Sequence, residues 1–322
     1  MKFKRLGRTG AEAPVIIFGC GNVGGLMIHT DDDTMHGAIA RALETGITWF
    51  DTAESYGQGK SEENLGRLLE DFHIKPRIST KVRLQPDDLS DIPGEIERHA
   101  EASLKRLRRD RVELLQFHNG IGAETSKGSL AWDQVAGAGG AIEALEKLRD
   151  QGLTKWIGFT ALGDGRLCRD LIRTGRVDTA QVYYNMLNPS AGAASGNMPA
   201  GQPFFGLLDA CAEMDVGVIA IRTLAAGVLA TRERHGRESM ITENTDLADE
   251  ESRAEAMMTP LGAKYGTWAQ TALRFALSEN RISCVDFAPG ELAHLEEAIA
   301  AVELGPMEES DRRDIEARAL SA

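Results

Sequence analysis

The chain has 322 residues, 42% of them apolar and 26% charged, with a formal net charge of −13. This composition can bury a large core and excludes a disordered chain, and a length of this order is reached by single domains built of alternating strands and helices. The negative charge argues against nucleic acid as partner, since such binders gather Lys and Arg on one face, and it reads more simply as solubility.

Along the chain one theme repeats: a short apolar or β-branched run, a polar loop, then a segment with apolar residues at helical spacing. The runs cover residues 15–20, 48–53, 77–82, 112–118, 155–161, 179–185, 217–224 and 282–288. Strands that alternate with helices pair in parallel, and eight of them fit one closed (β/α)8 TIM barrel over residues 1–322, with an open doubly wound sheet as the alternative.

After the first run, GCGNVG spells the spacing of a dinucleotide fingerprint through Gly19, Gly21 and Gly24. That fingerprint needs a helix to begin within the motif. Here a helix is expected only near Asp32, after a loop over residues 25–30, so the segment reads instead as a glycine-rich loop beneath a ligand, with Gly21, Asn22 and Val23 near it. Residues 30–33 cap and charge the helix that follows, which runs to Leu43, and Gly46 ends it. Ser61 is the expected cap of the next helix, with the apolar stripe Leu65, Leu68 and Leu69 behind it. A further stripe runs through Ile96, Ala100, Leu104 and Leu107. Three connections are long, 119–140, 189–203 and 225–266, and each follows a strand, which in a barrel places it on the carboxyl-terminal face where sites are built. The last is acidic around residues 243–255 and reads as either a lid or a partly disordered loop.

The N-terminal MKFKRLGRTG has no apolar run behind its basic residues, and no stretch reaches the roughly 20 apolar residues of a membrane span, so a cytoplasmic protein without membrane partners is expected. Cys20, Cys168, Cys211 and Cys284 form no Cys-x-x-Cys pair. They read as buried thiols, with no metal site encoded by their spacing.

Four residues stand at or just past strand ends: Asp51 in TWFDTA, Tyr56 in ESYG, Lys81 in ISTKV and His118 closing ELLQFH. Consecutive barrel strands bring such ends together. A carbonyl under reduction needs a proton at oxygen while hydride arrives at carbon; a tyrosine can give it if an ammonium lowers its pKa and a carboxylate holds that ammonium. Tyr56, Lys81 and Asp51 fit those roles, and His118 can polarise the oxygen. Each alone reads as a cap, a surface charge or a structural group, but Lys81 and His118 follow apolar runs where an unpaired polar group is costly.

FDTAESYGQGKSEENLG (50–66) and IERHAEASLKRLRRDRVELLQFH (96–118), with ISTK (78–81), KWIGFT (155–160) and QVYYN (181–185), resemble the aldo-keto reductases in order and over nearly the whole chain. The resemblance implies an oxidoreductase that uses NADP(H) or NAD(H) on a small-molecule carbonyl or alcohol. It sets Tyr56 at the family's proton donor, Asp51 and Lys81 at its tuning pair, and His118 at its substrate-orienting histidine. Thr160 and Gln181 match positions that bond the nicotinamide carboxamide, with Ala161 in place of a frequent asparagine. In AIRTLAAG, Ile221 and Thr223 stand where an aromatic residue and a proline are common. Either Ile221 packs on the nicotinamide or Arg222 points inward, with Leu224 beside them. In the last block Ala288, Glu291 and His294 occupy the region where NADPH-preferring members present Lys or Arg, and a carboxylate there suits a ribose diol better than a phosphate. Glu297 matches an adenine-contacting position, or is a solvated helix glutamate.

Two other functions stay open: an aldose 1-dehydrogenase, and a nicotinamide-binding subunit that senses redox state for a partner protein. The latter would carry a docking segment, and none is apparent. Trp132, Trp156, Met198, Phe204 and Phe205 are candidates to line a substrate pocket, with ordinary packing the alternative. Oligomeric state is not encoded in a recognisable stripe.

Overall fold

The computed structural model describes residues 1–196, 201–234, 236–237 and 246–321. Eight strands form a closed parallel barrel: β1 Ile16–Gly19, β2 Trp49–Asp51, β3 Arg77–Val82, β4 Val112–Phe117, β5 Thr154–Thr160, β6 Thr179–Tyr183, β7 Gly217–Ile221 and β8 Cys284–Phe287. Each pairs with its successor, and β8 returns to β1 with Val285 opposite Ile16 and Phe287 opposite Phe18. That closure rules out the open sheet, and all eight expected runs fall on barrel strands. Some runs overshoot. β7 stops at Ile221 because Arg222 turns to a left-handed backbone, φ 58°, which a pleated strand does not accommodate.

The helices follow the expected periodicity with three corrections. Asp31 caps Asp32–Glu44 by accepting from the Thr34 amide at 2.8 Å. Ser61, however, is not a cap: Lys60–Leu68 starts from Gly59 at φ 90°, and the buried Ser61 hydroxyl bonds the Cys20 carbonyl and the Thr52 hydroxyl. A hydroxyl driven into the core is used by the strand ends that surround it. The expected loop after Gly25 contains a one-turn helix, Leu26–His29, whose Leu26, Met27 and Ile28 are buried. The acidic stretch after β7 is not disordered in its described part but forms the helix Leu247–Met258, capped by Asp246. Its acidic first turn, Asp249 and Glu250, complements the helix N-terminus.

The lower end of the barrel is closed by an element absent from the sequence reading, an antiparallel hairpin of Phe3–Arg5 and Glu12–Pro14. It presses Leu6, Ala11 and Ala13 against the inward-facing Ile17, Trp49, Leu114, Trp156, Ile219 and Cys284. Trp49 and Trp156 stack there with centroids 6.1 Å apart. Gly217 is required beneath this plug, since a Cβ on it would stand 2.7 Å from Leu6 Cδ1. All four cysteines are free and buried, and burial pushes the Cys211 thiol up to about 12. Among the described residues no helix is long and apolar enough to cross a membrane.

The fully buried Leu6 tests the plug. Leu6→Ala is expected to cost about 2–5 kcal/mol in urea unfolding, with activity per folded molecule unchanged because the plug lies at the end of the barrel opposite the strand termini that carry the chemistry.

Candidate active site

One pleat above the apolar plug the barrel interior turns polar. Strand alternation that puts Trp49 in the plug puts Asp51 above it, between Gly19 of β1 and Ser79 of β3. Asp51 is fully buried, and four side chains donate to it: Lys81 Nζ to Oδ1, and Ser79 Oγ at 2.7 Å, Gln181 Nε2 at 3.0 Å and Gln116 Nε2 at 3.2 Å to Oδ2. Lys81, also fully buried, donates to the Thr52 carbonyl at 2.8 Å and to the Tyr56 hydroxyl at 3.3 Å. Burial works against the ammonium, but Asp51, the Tyr56 phenol and Asp286 around it raise its pKa above the ordinary lysine value. Lys81 is therefore held charged.

Tyr56 is presented by a tight turn after β2 in which Gly57, Gln58 and Gly59 all have positive φ. Asn22 steadies this turn by accepting from the Gly57 amide at 3.0 Å. His118 follows β4, its amide bonded to the Val82 carbonyl, and its ring meets Tyr56 edge-on at 6.0 Å and 86°. His118 Nδ1 is buried and has no hydrogen-bond partner among the described residues, which leaves Nε2 as the nitrogen turned to the cleft that His118 lines. Burial, then Lys81 and Arg83, push its pKa well below the usual imidazole range. The ring is neutral, so the tautomer with its proton on Nε2 avoids burying an unpaired N–H. The phenol of Tyr56 moves the other way from expectation. Lys81 does pull its pKa down, but burial, aided by Asp51 and Asp286, raises it on balance.

Above these groups opens a cleft of about 960 Å³. The loop after β1 contributes Gly21, Asn22 and Val23; β5 and β6 contribute Thr160 and Gln181; the end of β7 contributes Ile221, Arg222 and Leu224; and the segment after β8 contributes Ala288, His294 and Glu297. Ile221 and Arg222 both line the cleft: Ile221 ends β7 opposite Tyr183, and the half-buried Arg222 follows it, its carbonyl accepting from Asn185 Nδ2 at 2.8 Å. Thr160 donates to Gln181 Oε1 at 3.1 Å, so these two side chains form one unit with Asp51. Glu291 is exposed beside the cleft-lining Gly290 but is not itself part of the lining, and it pairs with His294 at 3.5 Å, while Glu297 accepts from the Thr267 hydroxyl. The lining leaves bare backbone at Gly21, where a Cβ would stand 3.7 Å from the Tyr56 ring, and at Gly227, φ 99°, where it would meet nothing within 4 Å, which suits the close approach of a dinucleotide such as a nicotinamide cofactor.

Sequence reasoning missed Arg83, Lys127, Arg237 and Asp286, which also line the cleft. Arg237 donates to the Val23 and Gly24 carbonyls at 3.3 Å, tying the segment after β7 to the loop after β1. The candidate aromatics do not line the cleft. Trp156 belongs to the plug, Phe204 is buried against Tyr183, Trp132 packs on the core, Phe205 is absent from the lining, and Met198 lies outside the described residues. Asp88, Glu95 and His99 lie close enough together to share a cation, but they sit away from the cleft and are engaged with Arg98 and Glu54.

Asp286 could have been suspected from an acid inside the apolar run CVDF. It points inward because Gly19 beside it has no side chain; a Cβ there would stand 2.3 Å from Asp286 Oδ1. Burial and the neighbouring Asp51 push its pKa well above the carboxylate range, with Lys81 opposing. A carboxyl raised on folding costs stability as pH rises from its unfolded value near 4 toward its folded one, because the folded state then binds more protons than the unfolded state. Asp286→Asn is expected to raise the melting temperature by a few degrees at pH 7, the gain shrinking as pH falls to 4; thermal scans across that range check it.

The chain matches the family model described as the aldo/keto reductase family over residues 15–319. It is 27% identical to L-galactose dehydrogenase of Arabidopsis thaliana over 309 residues, covering 94% of this chain and 88% of that protein. With D-threo-aldose 1-dehydrogenase of a Pseudomonas species it shares 29% identity over 261 residues, 71% of this chain and 72% of the relative. In fold it is similar to the holo form of the aldo-keto reductase AKR11C1 from Bacillus halodurans, with a TM-score of 0.76, 21% identity, and coverage of 100% of this chain and 97% of that one.

Proposed function

The chain belongs to the aldo/keto reductase family and is an NAD(P)-dependent oxidoreductase, and from that premise we propose that it reduces aldehydes or ketones to alcohols, or runs the reverse, through Tyr56, Lys81, Asp51 and His118. The observation that carries this reading is the hydrogen-bonded line from Tyr56 through Lys81 to Asp51 at the floor of the cleft, with His118 beside it.

A nicotinamide held along Thr160, Gln181 and Ile221 would supply the hydride that reaches the carbonyl carbon. As the π pair of the carbonyl moves onto oxygen, Tyr56 gives that oxygen its phenol proton. His118 Nε2–H donates a hydrogen bond to the same oxygen and fixes its position. The phenolate left on Tyr56 faces the Lys81 ammonium, which cannot drift because Asp51 and the Thr52 carbonyl hold it. A proton from solvent at the mouth restores the phenol. A phenol whose pKa is raised is fully protonated at neutral pH, the state a donor needs; the reverse reaction needs the phenolate and draws on Lys81 to form it.

For the cofactor, Glu291 beside the cleft supports weaker NADP preference than phosphate-binding cations would give, and use of NAD. Oxidation of an aldose at C1 is the second reading, favoured by the two sugar dehydrogenases among the relatives. On either reading the protein acts as one domain, in the cytoplasm, on a small molecule.

Absorbance at 340 nm with NADH and NADPH against aldehydes, ketones and sugars tests the proposal. Tyr56→Phe is expected to lose about 10²–10⁴-fold in kcat while still binding nicotinamide; a variant as active as wild type overturns the role of Tyr56. Nicotinamide binding without turnover by wild type favours the redox-sensing subunit. In the reductive direction the alkaline limb of kcat/KM should lie above pH 10, because burial raises the phenol. Glu291→Lys should shift preference toward NADPH, and a strong NADPH advantage in wild type at similar KM would refute the reading of Glu291.

A further inference from the structure

Arg83 lies two residues beyond Lys81, so strand alternation points it to the same inner side, one step nearer the mouth, where it lines the cleft with Tyr56 and His118. Its backbone amide donates to Glu54 Oε1 at 2.6 Å, and the other oxygen of Glu54 is taken by His99 Nδ1 at 2.6 Å. The half-buried guanidinium itself has no hydrogen bond and no ion pair among the described residues. Arg106, Arg176 and Arg281, also half-buried, are paired with Glu62, Glu146 and Asp209, whereas Arg109, half-buried but outside the cleft lining, has no such pair among the described residues.

The loop after β4 reinforces the point. Gly128, at φ 87°, lies against the guanidinium, and a Cβ on it would stand 3.1 Å from Arg83 Nη2. It thereby brings Lys127, which likewise has no hydrogen bond or ion pair, to the same mouth. An exposed lysine without a partner is ordinary. Arg83 differs in that its half-buried guanidinium, without an acceptor, faces the cleft, and a second cation beside it adds repulsion that an anion relieves. Its field is felt at His118, whose pKa it helps depress. The planar fork matches a carboxylate, two N–H groups to two oxygens.

We propose that Arg83, supported by Lys127, determines specificity by receiving a carboxylate of the substrate, so that the preferred substrates are carbonyl compounds, or the matching alcohols, that carry a carboxylate close to the reacting carbon. This rests on the reading that Tyr56 and His118 flank the reacting oxygen.

The test compares succinic semialdehyde with butanal, and pyruvate with acetone, for wild type, Arg83→Met and Arg83→Lys. Wild type is expected to favour the acid of each pair. Arg83→Met should lose about ten- to hundredfold in kcat/KM on the acids, chiefly through KM, as befits a charge-assisted hydrogen bond. The loss on the acids should exceed that on the neutral partners at least fivefold, Arg83→Lys should recover part of it, and nicotinamide affinity by fluorescence quenching should stay constant. Calorimetric binding of succinate to the nicotinamide-loaded protein, present in wild type and lost in Arg83→Met, reads the carboxylate site without turnover. Equal losses on acid and neutral substrates, weakened nicotinamide binding in Arg83→Met, or succinate binding indifferent to Arg83 overturns the proposal. Failure of the Tyr56 reading shows separately, as Tyr56→Phe retaining activity on butanal.

Discussion

Lys81 and Asp51 form an ion pair with no solvent exposure on either side, and much of the barrel interior is arranged around the cost of that choice. Removing two charges from water is expensive, and their attraction offsets the loss only when every remaining donor and acceptor is satisfied. Ser79, Gln116, Gln181 and the Thr52 carbonyl supply those contacts from four different strands or strand ends. A typical barrel fills this level with branched apolar residues; here the level is given to hydrogen bonds, and the apolar filling is confined to the plug below. Cutting either charge away would strand the other in a dry interior.

The same pair explains why two carboxyls can lie side by side. Asp51 takes the ammonium and three further donors; Asp286, facing it across the space left by Gly19, has its pKa pushed up by burial and by Asp51, with Lys81 opposing. Environment gives two residues of identical chemistry unlike surroundings, one bonded by four donors and one left with a buried oxygen, Oδ1, that has no hydrogen-bond partner among the described residues. Tyr56 sits at the outer edge of this arrangement, pulled one way by Lys81 and the other by burial and both acids.

Strand positions were legible because parallel strands covered on both faces read as continuous apolar runs, and Asp51, Lys81 and His118 were legible as polar residues at the ends of such runs. The hairpin of Phe3–Arg5 and Glu12–Pro14 was not, because three-residue strands carry no periodicity. Ser61 misled because a serine before acidic residues looks like a cap, and only the packing shows its hydroxyl turned to Cys20 and Thr52. Arg83, Lys127 and Arg237 look like any other surface cation in one dimension; what marks them is where the loops carry them. Arg222 fell between two readings because its left-handed backbone lets neighbouring residues face the same space, which strand alternation forbids.

The plug at the lower end sets the barrel's doorway at the opposite end. Among the described residues Leu6, Trp49 and Trp156 pack across the base, so the cleft above, the space that the reactants themselves would fill, is the described opening toward the acid, ammonium and phenol. Once they are seated, the number of exchangeable hydrogens inside is fixed until something leaves. Departure of the product and replenishment of Tyr56 then become successive uses of one passage, so a loop that slows opening of the mouth also delays readiness for the next cycle.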